Sequence, residues 1–283
     1  MRKMRLLCLL LALCCLLPLA APAEGAPPEP VVWDYSSDTL TITITEEHRT
    51  IGARQPLAFY VADVRIQKPE QLRAAFAKDV YHTTYREDTE SIAERYGAIL
   101  AINGDYYNHD DKLGIILRNG QLYRDRASSR DLMYIDAQGG MHVMLKDARG
   151  KGTATLTGES LLAEGAVQSY EFGPALIDNG QALPLPEKYF IYTDDSVREP
   201  RTAIGMVEPL HYIVVVADGR RKNWSEKGMK FSEMQEIFLE HGCQVAYNLD
   251  GGGSTTLYFY DRVLNHPAGG GQRQVSDILY FAD

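Results

Sequence analysis

The amino-acid sequence predicts an α+β protein in which strands predominate. Short segments that alternate apolar and polar residues recur along the chain, which is the pattern of half-buried strands. Glycine pairs separate several of these segments at the spacing of tight turns. Only two segments have clear helical periodicity. No repeat or second domain boundary stands out in the 283 residues, so we expect a single domain.

Residues 1–23 are predicted to be a cleavable secretory signal peptide. Arg2, Lys3 and Arg5 form a cationic start, an apolar run extends from Leu6 to Leu17, and small residues follow. A retained membrane anchor is the alternative, but the apolar run is shorter than the roughly 20 residues that span a bilayer. Cleavage predicts a secreted or extracytoplasmic protein, located in the cell envelope or outside it, with no stable membrane anchor.

The expected mature chain is acidic and cannot form an internal disulfide. Cleavage removes three positive charges, which changes the formal net charge from −9 to −12. A nucleic-acid partner is therefore not expected, because phosphate binding needs a basic face. Three of the four cysteines precede the cleavage site, and Cys243 is predicted to be a buried, inert thiol.

The first elements after the signal peptide are a tether and two strands. Residues 24–36 start with a segment rich in proline and small residues, which favours an extended tether. The predicted domain covers residues 37–283. Its first strand, Thr39 to Thr45, alternates apolar residues with threonines, and Leu57 to Ile66 supplies the second.

Two helices are predicted, one on each side of the β-rich middle. Asp88 to Gly97 has acidic residues early and a glycine at its end. Gly228 to Gly242 contains apolar residues on one face, with Ser232 and Gln235 in the spacing of a capping box.

The middle of the chain is predicted to form hairpins and further strands. Asn119-Gly120 is the pair favoured in type I′ turns, and Gly139-Gly140 separates two more apolar runs. The segments concerned are Gly114–Tyr123, Leu132–Leu145, Pro174–Leu183 and His211–Arg220.

Two apolar strands end in the same polar pattern. Asn103 and Asp105 follow one strand, and Asn248 and Asp250 follow another. Polar residues at strand ends can face a cleft while the strand fixes their position. Turn formation explains either pair equally well when it is considered alone.

The second pair leads into a glycine loop that is poorly explained as a linker. Gly251, Gly252, Gly253 and Ser254 lie between two strand-like segments, so both flanks belong to one fold. Successive glycines let backbone N–H groups approach an anion such as phosphate. The loop lacks the pattern of a Walker loop or a dinucleotide fingerprint.

Several charged residues could join this loop at an anion site. For Glu199, Arg201, Asp218 and Arg273 taken singly, a solvated loop position is the better explanation. Taken together, arginines recur near glycine-rich loops, and a guanidinium grips phosphate through two hydrogen bonds. No cofactor is required by these residues. Ca²⁺ is compatible with the hard oxygen ligands of Asp105, Asp110, Asp111 and Asp250.

The ordered motifs of the chain resemble those of the phosphodiester glycosidase family. The resemblance covers about residues 57–283 and is most specific between Asn248 and Leu257. It implies an α+β fold with curved mixed β-sheets surrounded by helices, and cleavage of a sugar joined through its anomeric carbon to a phosphodiester. Gln272 stands where the family often has Glu. The motifs are AINGDYY, FGPALIDNG, REPRTAIG, VVVADGR, NLDGGGSTTL and NHPAGGGQRQVSDIL.

The implied function is that of an exported hydrolase acting on a phosphorylated glycan or sugar phosphodiester, N-acetylglucosamine-like, in envelope or exopolysaccharide metabolism. The alternative is a non-catalytic glycan-binding protein of the cell envelope. Residues expected to act in catalysis are Asp250, Asp105, Glu199 and Asp218. Residues expected to bind phosphate are Arg201, Arg273 and the backbone from Gly251 to Ser254, and those expected to bind the sugar or adjoining groups are Asn103, Asn248, Ser254 and Thr255.

Overall fold

The fold is mostly β-sheet, with short helices on the outside of the sheets. The computed structural model describes residues 31–51, 55–107, 114–126, 128–145, 156–185, 195–220 and 227–283. The helices are α1 (Thr89–Arg95), α2 (Gly158–Ala163) and α3 (Phe231–Glu240). The strands are β1 (Val31–Ser36), β2 (Leu40–Ile51), β3 (Gln55–Ile66), β4 (Leu72–Phe76), β5 (Leu100–Asn103), β6 (Ile116–Arg118), β7 (Gln121–Arg124), β8 (Leu132–Asp136), β9 (Met141–Met144), β10 (Ala166–Tyr170), β11 (Ala175–Asp178), β12 (Gln181–Ala182), β13 (Arg201–Glu208), β14 (His211–Ala217), β15 (Val245–Asn248), β16 (Leu257–Phe259), β17 (Arg262–Val263) and β18 (Asp277–Phe281).

Two large sheets pack face to face around the main core. The eight-stranded sheet has the order β1-β2-β3-β14-β13-β15-β11-β12, and the five-stranded sheet has the order β17-β16-β5-β18-β4. Buried side chains from both sheets, such as Ile44, Val214, Leu257 and Leu279, form one cluster. A three-stranded sheet, β10-β8-β9, and the β6-β7 hairpin complete the described strands.

The predicted strands are confirmed, whereas two expectations about the architecture are corrected. Leu40, Ile42 and Ile44 of β2 are buried and alternate with less buried threonines. Every strand pair among the described residues is antiparallel, so the expected mixed sheets are not found there. The three helices of this part of the chain are six to ten residues long, too few and too short to surround the sheets.

The N-terminal tether ends earlier than expected. Val31–Ser36 were assigned to it, but they form the edge strand β1, which pairs with β2 from Glu46 to Thr41. The valine and tyrosine content of this segment favours a strand once a partner is beside it. The predicted signal peptide and residues 24–30 lie outside the described residues. No helix in the described part of the chain is long and apolar enough to cross a membrane.

The hairpin and helix predictions hold, apart from one cap. Asn119 and Gly120 both have positive φ, at 51° and 76°, as a type I′ turn requires. In α3 the side chain of Glu233 accepts a hydrogen bond from the backbone N–H of Lys230 at 3.0 Å, so the expected Ser232–Gln235 capping box is wrong. The Gln235 amide instead donates to the carbonyl oxygen of Leu176 at 2.8 Å.

The glycine loop connects the two large sheets. β15 ends at Asn248 in the eight-stranded sheet, and the chain enters the five-stranded sheet at Leu257. β5, which ends at Asn103, pairs with β16 on one side and β18 on the other. Because both large sheets pack on one core, the polar ends of β5 and β15 lie at the same edge of the molecule.

Candidate active site

The Asn103 side chain links the two strand ends. Its amide Nδ2 donates to the carbonyl oxygen of Asp250 at 2.6 Å, and its Oδ1 accepts from the Thr202 hydroxyl at 2.8 Å and the Thr256 N–H at 3.2 Å. The residue is fully buried. Both amide atoms therefore have partners within the protein, and Asn103 positions the loop that carries Asp250. Its expected contact with a sugar hydroxyl stays a prediction.

Asn248 and Thr255 are also fully buried, but each has a polar atom without a partner among the described residues. The Asn248 amide nitrogen donates to the carbonyl oxygen of Gly173 at 2.7 Å. Its Oδ1 and the Thr255 Oγ1 have no hydrogen-bond partner in the described structure. Leaving such atoms unpaired costs about 1–3 kcal/mol each, so both atoms retain a capacity for further hydrogen bonds.

The buried carboxylate of Asp250 forms an ion pair with the partly exposed Arg273. The carboxylate is 5 % exposed, and its Oδ2 lies 3.1 Å from Arg273 Nη2. Burial raises the pKa of Asp250 to about 6, while Arg273 and a hydrogen bond from Ser254 oppose this rise. The carboxyl group therefore changes its ionisation close to neutral pH, as a catalytic acid or base requires.

Arg273 is the cation best placed to meet a ligand at this loop. Its Nε donates to the Ser254 hydroxyl at 2.8 Å, and its guanidinium lies 5.2 Å from the centre of the Tyr106 ring. The side chain is 41 % exposed, whereas its partner carboxylate is buried. These contacts hold the guanidinium in place and leave part of it accessible from solvent, where a phosphate group could reach it.

The glycine loop is shaped, but some of its N–H groups are used within the protein. The Gly252 N–H donates to the carbonyl oxygen of Pro200 at 2.8 Å, and the Ser254 N–H donates to that of Gly251 at 3.1 Å. A β-carbon on Gly251 would lie 2.7 Å from the Pro200 oxygen, so a side chain does not fit there. The expectation that the whole run of N–H groups faces phosphate is therefore corrected for Gly252 and Ser254.

Arg201 does not face the site. It is 2 % exposed, its Nε donates to the carbonyl oxygen of Met229 at 3.2 Å, and its guanidinium lies 3.9 Å from the centre of the Phe231 ring. Burial lowers the pKa of Arg201 to about 10, and it stays charged at neutral pH. The Arg201 guanidinium packs against Phe231, the first residue of α3, and its expected phosphate contact stays a prediction.

Arg220 takes the place at the loop that Arg201 was expected to take. Its guanidinium nitrogens lie 3.3 and 3.4 Å from the position a β-carbon on Gly252 would occupy. Glu199 accepts a hydrogen bond from Arg220 Nε, and the side chain of Glu199 is 14 % exposed. Glu199 therefore holds a second cation beside the glycine loop.

Asp218 is buried behind a histidine. Its carboxylate accepts from the His266 N–H at 2.9 Å and from the Asn265 amide at 3.1 Å, and its Oδ2 lies 3.1 Å from His266 Nδ1. Burial raises the pKa of Asp218, and these hydrogen bonds oppose the rise. Asp218 is 1 % exposed, whereas the His266 side chain is 51 % exposed, so the imidazole faces solvent and the carboxylate does not.

Asp105 lies in a buried charged network beside Asp250. Its Oδ1 accepts from the Tyr106 N–H at 2.8 Å and its Oδ2 accepts from the Glu171 N–H at 2.9 Å. Its own N–H donates to Asp277 Oδ1 at 2.9 Å. Electrostatic repulsion from Asp105 contributes to the raised pKa of Asp250, so the two carboxylates act on each other.

Asp277 anchors this network to an arginine. Arg118 Nε donates to Asp277 Oδ2 at 2.7 Å, and both side chains are almost completely buried. Burial raises the pKa of Asp277 to about 6, an effect that Arg118 opposes. The pair fixes the backbone of the Asp105 segment and does not reach solvent.

The described residues contain no group of three or more His, Cys, Asp or Glu side chains that could hold a metal ion. Asp110 and Asp111, which were considered as Ca²⁺ ligands, lie outside the described residues. Asp105 and Asp250 have the nitrogen donors described above as partners.

Comparison with known proteins establishes the family. A model described as phosphodiester glycosidase matches residues 96–282, more than half of the chain and every candidate residue described above. The chain belongs to the phosphodiester glycosidase family. Membership supports a glycosidase-type function and agrees with the resemblance of the sequence motifs.

Solved structures share the fold of this phosphodiester glycosidase family chain. The zebrafish N-acetylglucosamine-1-phosphodiester alpha-N-acetylglucosaminidase catalytic domain, auto-inhibited by its pro-peptide, superposes with a TM-score of 0.65 at 18 % identity, covering 90 % of this chain and 88 % of that domain. A hypothetical protein from Synechocystis superposes with a TM-score of 0.58 at 17 % identity, covering 90 % and 64 % of the two chains. A putative exported protein from Burkholderia pseudomallei K96243 superposes with a TM-score of 0.54 at 15 % sequence identity. The match covers 82 % of this chain and 75 % of that protein.

A sequence relative is longer than this chain. The SPbeta prophage-derived uncharacterized protein YomE of Bacillus subtilis (strain 168) is 29 % identical over 202 residues, which is 70 % of this chain and 30 % of YomE. This family member therefore spans less than a third of the relative that it matches.

Sequence reasoning missed four residues around the site of this family member. Tyr106 directly follows the Asn-Gly-Asp motif, and Arg220 directly follows the Asp-Gly motif. A search for side chains beside these two motifs could have found both. His266 stands in the last motif and was not assigned a role. Glu171 follows β10 without a polar motif beside it, so no local signal identified it.

Proposed function

We propose that this chain is an exported hydrolase that cleaves the anomeric C–O bond of a sugar 1-phosphodiester with an N-acetylglucosamine-like sugar. The observation that carries the proposal is the pairing of a buried carboxylate, Asp250, with a partly exposed guanidinium, Arg273, on the glycine loop. Family membership supports the glycosidase class. The similarity of the fold to the zebrafish N-acetylglucosamine-1-phosphodiester alpha-N-acetylglucosaminidase supports the choice of sugar and linkage.

The chemistry of this bond matches that pair of residues. Cleavage passes through an oxocarbenium-like state, in which positive charge develops on the sugar. The phosphate that departs is already a stable anion, so a cation that meets it contributes more than a strong general acid does. In the proposed mechanism Asp250 stabilises the cationic sugar, and Arg273 binds the departing phosphate.

In this proposal some of the surrounding residues contact the substrate, and others hold those residues in position. We assign Arg220 to the phosphate side, because it lies over Gly252. Glu199 orients Arg220, and Asp218 acts through His266, whose imidazole is exposed. The buried Asn103 maintains the loop geometry on which the site depends.

Export and an envelope role form a separate part of the proposal. They are supported by the signal-peptide pattern of residues 1–23. The acidic composition of the remainder disfavours nucleic-acid partners. Expression of the full chain in a bacterial host, with N-terminal sequencing of the protein recovered outside the cytoplasm, tests this part. We expect cleavage after Ala23, and a full-length protein retained in cells contradicts it.

The enzymatic proposal is tested with a UDP-linked or aryl N-acetylglucosamine phosphodiester. We expect the purified protein to release the free sugar, and Asp250→Asn to abolish release. Asp261→Asn is the matched control, because Asp261 is exposed on the β16-β17 turn and pairs with its neighbour Arg262. Saturable binding without sugar release, unchanged in Asp250→Asn, identifies a non-catalytic glycan-binding protein instead.

A further inference from the structure

A small polar cavity adjoins the Asp250–Arg273 pair. It has a volume of about 20 Å³, and its lining includes Asp105, Tyr106, Arg124, Arg130 and Glu171. Two of these residues also belong to the site described above. Tyr106 lies under the Arg273 guanidinium, and Asp105 interacts electrostatically with Asp250.

Glu171 directs an unpaired carboxylate oxygen towards this space. The side chain is 4 % exposed, and its Oε1 accepts a hydrogen bond from the Ile115 N–H at 3.1 Å. Its Oε2 is buried and has no hydrogen-bond partner among the described residues. A buried carboxylate oxygen without a partner is costly, so it calls for a ligand that donates a hydrogen bond.

The size and polarity of the cavity fit a single water molecule. A water needs roughly 10–15 Å³ of such volume and two to four polar partners. The cavity has the volume, and its carboxylate and guanidinium groups offer both acceptors and donors.

The position of Glu171 is coupled to the catalytic loop through its backbone. Its N–H donates to Asp105 Oδ2 at 2.9 Å, and the carbonyl oxygen of the same residue accepts from Arg130 Nη1 at 3.5 Å. Asp105 follows β5, whose last residue, Asn103, holds the carbonyl of Asp250. A group in the cavity is therefore held in a fixed relation to Asp250.

We propose that this cavity holds the water consumed in hydrolysis and that Glu171 is the base that takes its proton. The inference rests on the function proposed above and adds the residue that activates the nucleophile. The water oxygen forms a bond to the anomeric carbon, and one water proton passes to Glu171 Oε2. The bond between the anomeric carbon and the phosphate oxygen breaks, and its electron pair leaves with the phosphate.

The electrostatic surroundings suit a base that works near neutral pH. Burial raises the pKa of Glu171 to about 7. The nearby Asp105 adds to the rise, while Arg124 and hydrogen bonds from Ser128 and the Ile115 N–H oppose it. Proton transfer is most efficient when the pKa of the base lies near the working pH.

The first test is a pH profile of kcat/KM for sugar release by the full chain. The wild type should lose activity as the pH falls through about 7, the value to which burial raises the pKa of Glu171. Glu171→Gln should lower kcat/KM by about 10²–10⁴. The residual activity of this variant should fall instead near pH 6, where Asp250 titrates. Glu159→Gln is the control, because Glu159 is an exposed carboxylate on α2.

A second variant separates the role of base from that of a structural contact. Azide is an anionic nucleophile that needs no base, so added azide should restore substrate consumption by Glu171→Ala and yield a glycosyl azide. A folded Glu171→Ala that azide does not rescue, or a Glu171→Gln variant with nearly wild-type rate and profile, overturns the assignment. In both cases sugar release by the wild type shows that the proposed function itself stands.

A third measurement does not depend on turnover. A high-resolution crystal structure of the full chain should place one ordered water within hydrogen-bond distance of Glu171 Oε2. An empty or side-chain-filled cavity overturns the water site whether or not the protein is active. A wild-type chain that releases no sugar overturns the proposed function and the base assignment together, a pattern distinct from failure of the variant tests alone.

Discussion

Asp250→Asn should abolish sugar release and, at the same time, stabilise the folded protein at alkaline pH. The carboxylate is 5 % exposed, and its pKa is raised to about 6 because burial disfavours the charged form. Asparagine resembles the protonated carboxyl in shape and carries no charge. The substitution therefore removes the buried charge together with the catalytic group, a common trade-off between stability and activity.

The size of the stabilisation follows from the shift in pKa. An ordinary aspartate has a pKa of 3.8, so the rise to about 6 amounts to about 2 units, or about 3 kcal/mol as an upper bound. Well below pH 3.8 the group is protonated in both the folded and the unfolded chain, and the pH-linked difference in stability between wild type and variant is near zero. As the pH rises through 6, the folded wild type loses this stability because its buried carboxyl must ionise.

Urea unfolding of the wild type and Asp250→Asn at pH 4 and pH 8 measures this difference. We expect the variant to gain up to about 3 kcal/mol relative to the wild type between the two pH values. The exposed Asp261→Asn variant provides the control and should show no such gain. An Asp250→Asn protein that is less stable at pH 8 than at pH 4, relative to the wild type, refutes the electrostatic reasoning.

Three further predictions concern the charged residues around the loop. Arg273→Gln should lower kcat/KM for the phosphodiester by about 10²–10³ and affect a simple glycoside much less, with the exposed Arg262→Gln as control; equal losses on both substrates contradict a phosphate contact. Asp218→Asn and His266→Gln should each lower kcat/KM, and the double variant should lose little more than the worse single variant, because Asp218 acts through His266; additive losses show independent roles. Arg201→Met should leave the preference for phosphodiester over glycoside unchanged, since the Arg201 guanidinium is buried against Phe231; a selective loss on the phosphodiester restores Arg201 to the site.

Local patterns were sufficient to predict the elements that frame the site. The alternation in β2, the Asn119-Gly120 turn and the apolar runs before Asn103 and Asn248 each depend on neighbouring residues. Sheet orientation depends on contacts between distant segments, so the expectation of mixed sheets failed. The edge strand β1 was assigned to a tether for the same reason, because its partner β2 decides its structure.

The separate roles of the polar residues could be assigned only from the tertiary structure. Arg201 precedes a strand and Arg220 follows one, and neither position shows which guanidinium reaches the loop; Phe231 of α3 covers the first, and the second lies over Gly252. Asn103 has a side chain of the kind that often binds ligands, yet both of its amide atoms form hydrogen bonds within the protein. Glu171 belongs to the site only because its N–H meets Asp105, a residue far from it in the chain.

The bond that breaks is the central claim, and hydrolysis in H₂¹⁸O tests it most directly. The full chain is incubated with an N-acetylglucosamine phosphodiester, and the phosphate product is analysed by mass spectrometry or by the isotope shift of its ³¹P resonance. Cleavage between the anomeric carbon and oxygen leaves the phosphate unlabelled, which is the result we expect, together with free sugar. An ¹⁸O-labelled phosphate shows that water attacks phosphorus, and the protein is then a phosphodiesterase rather than a glycosidase.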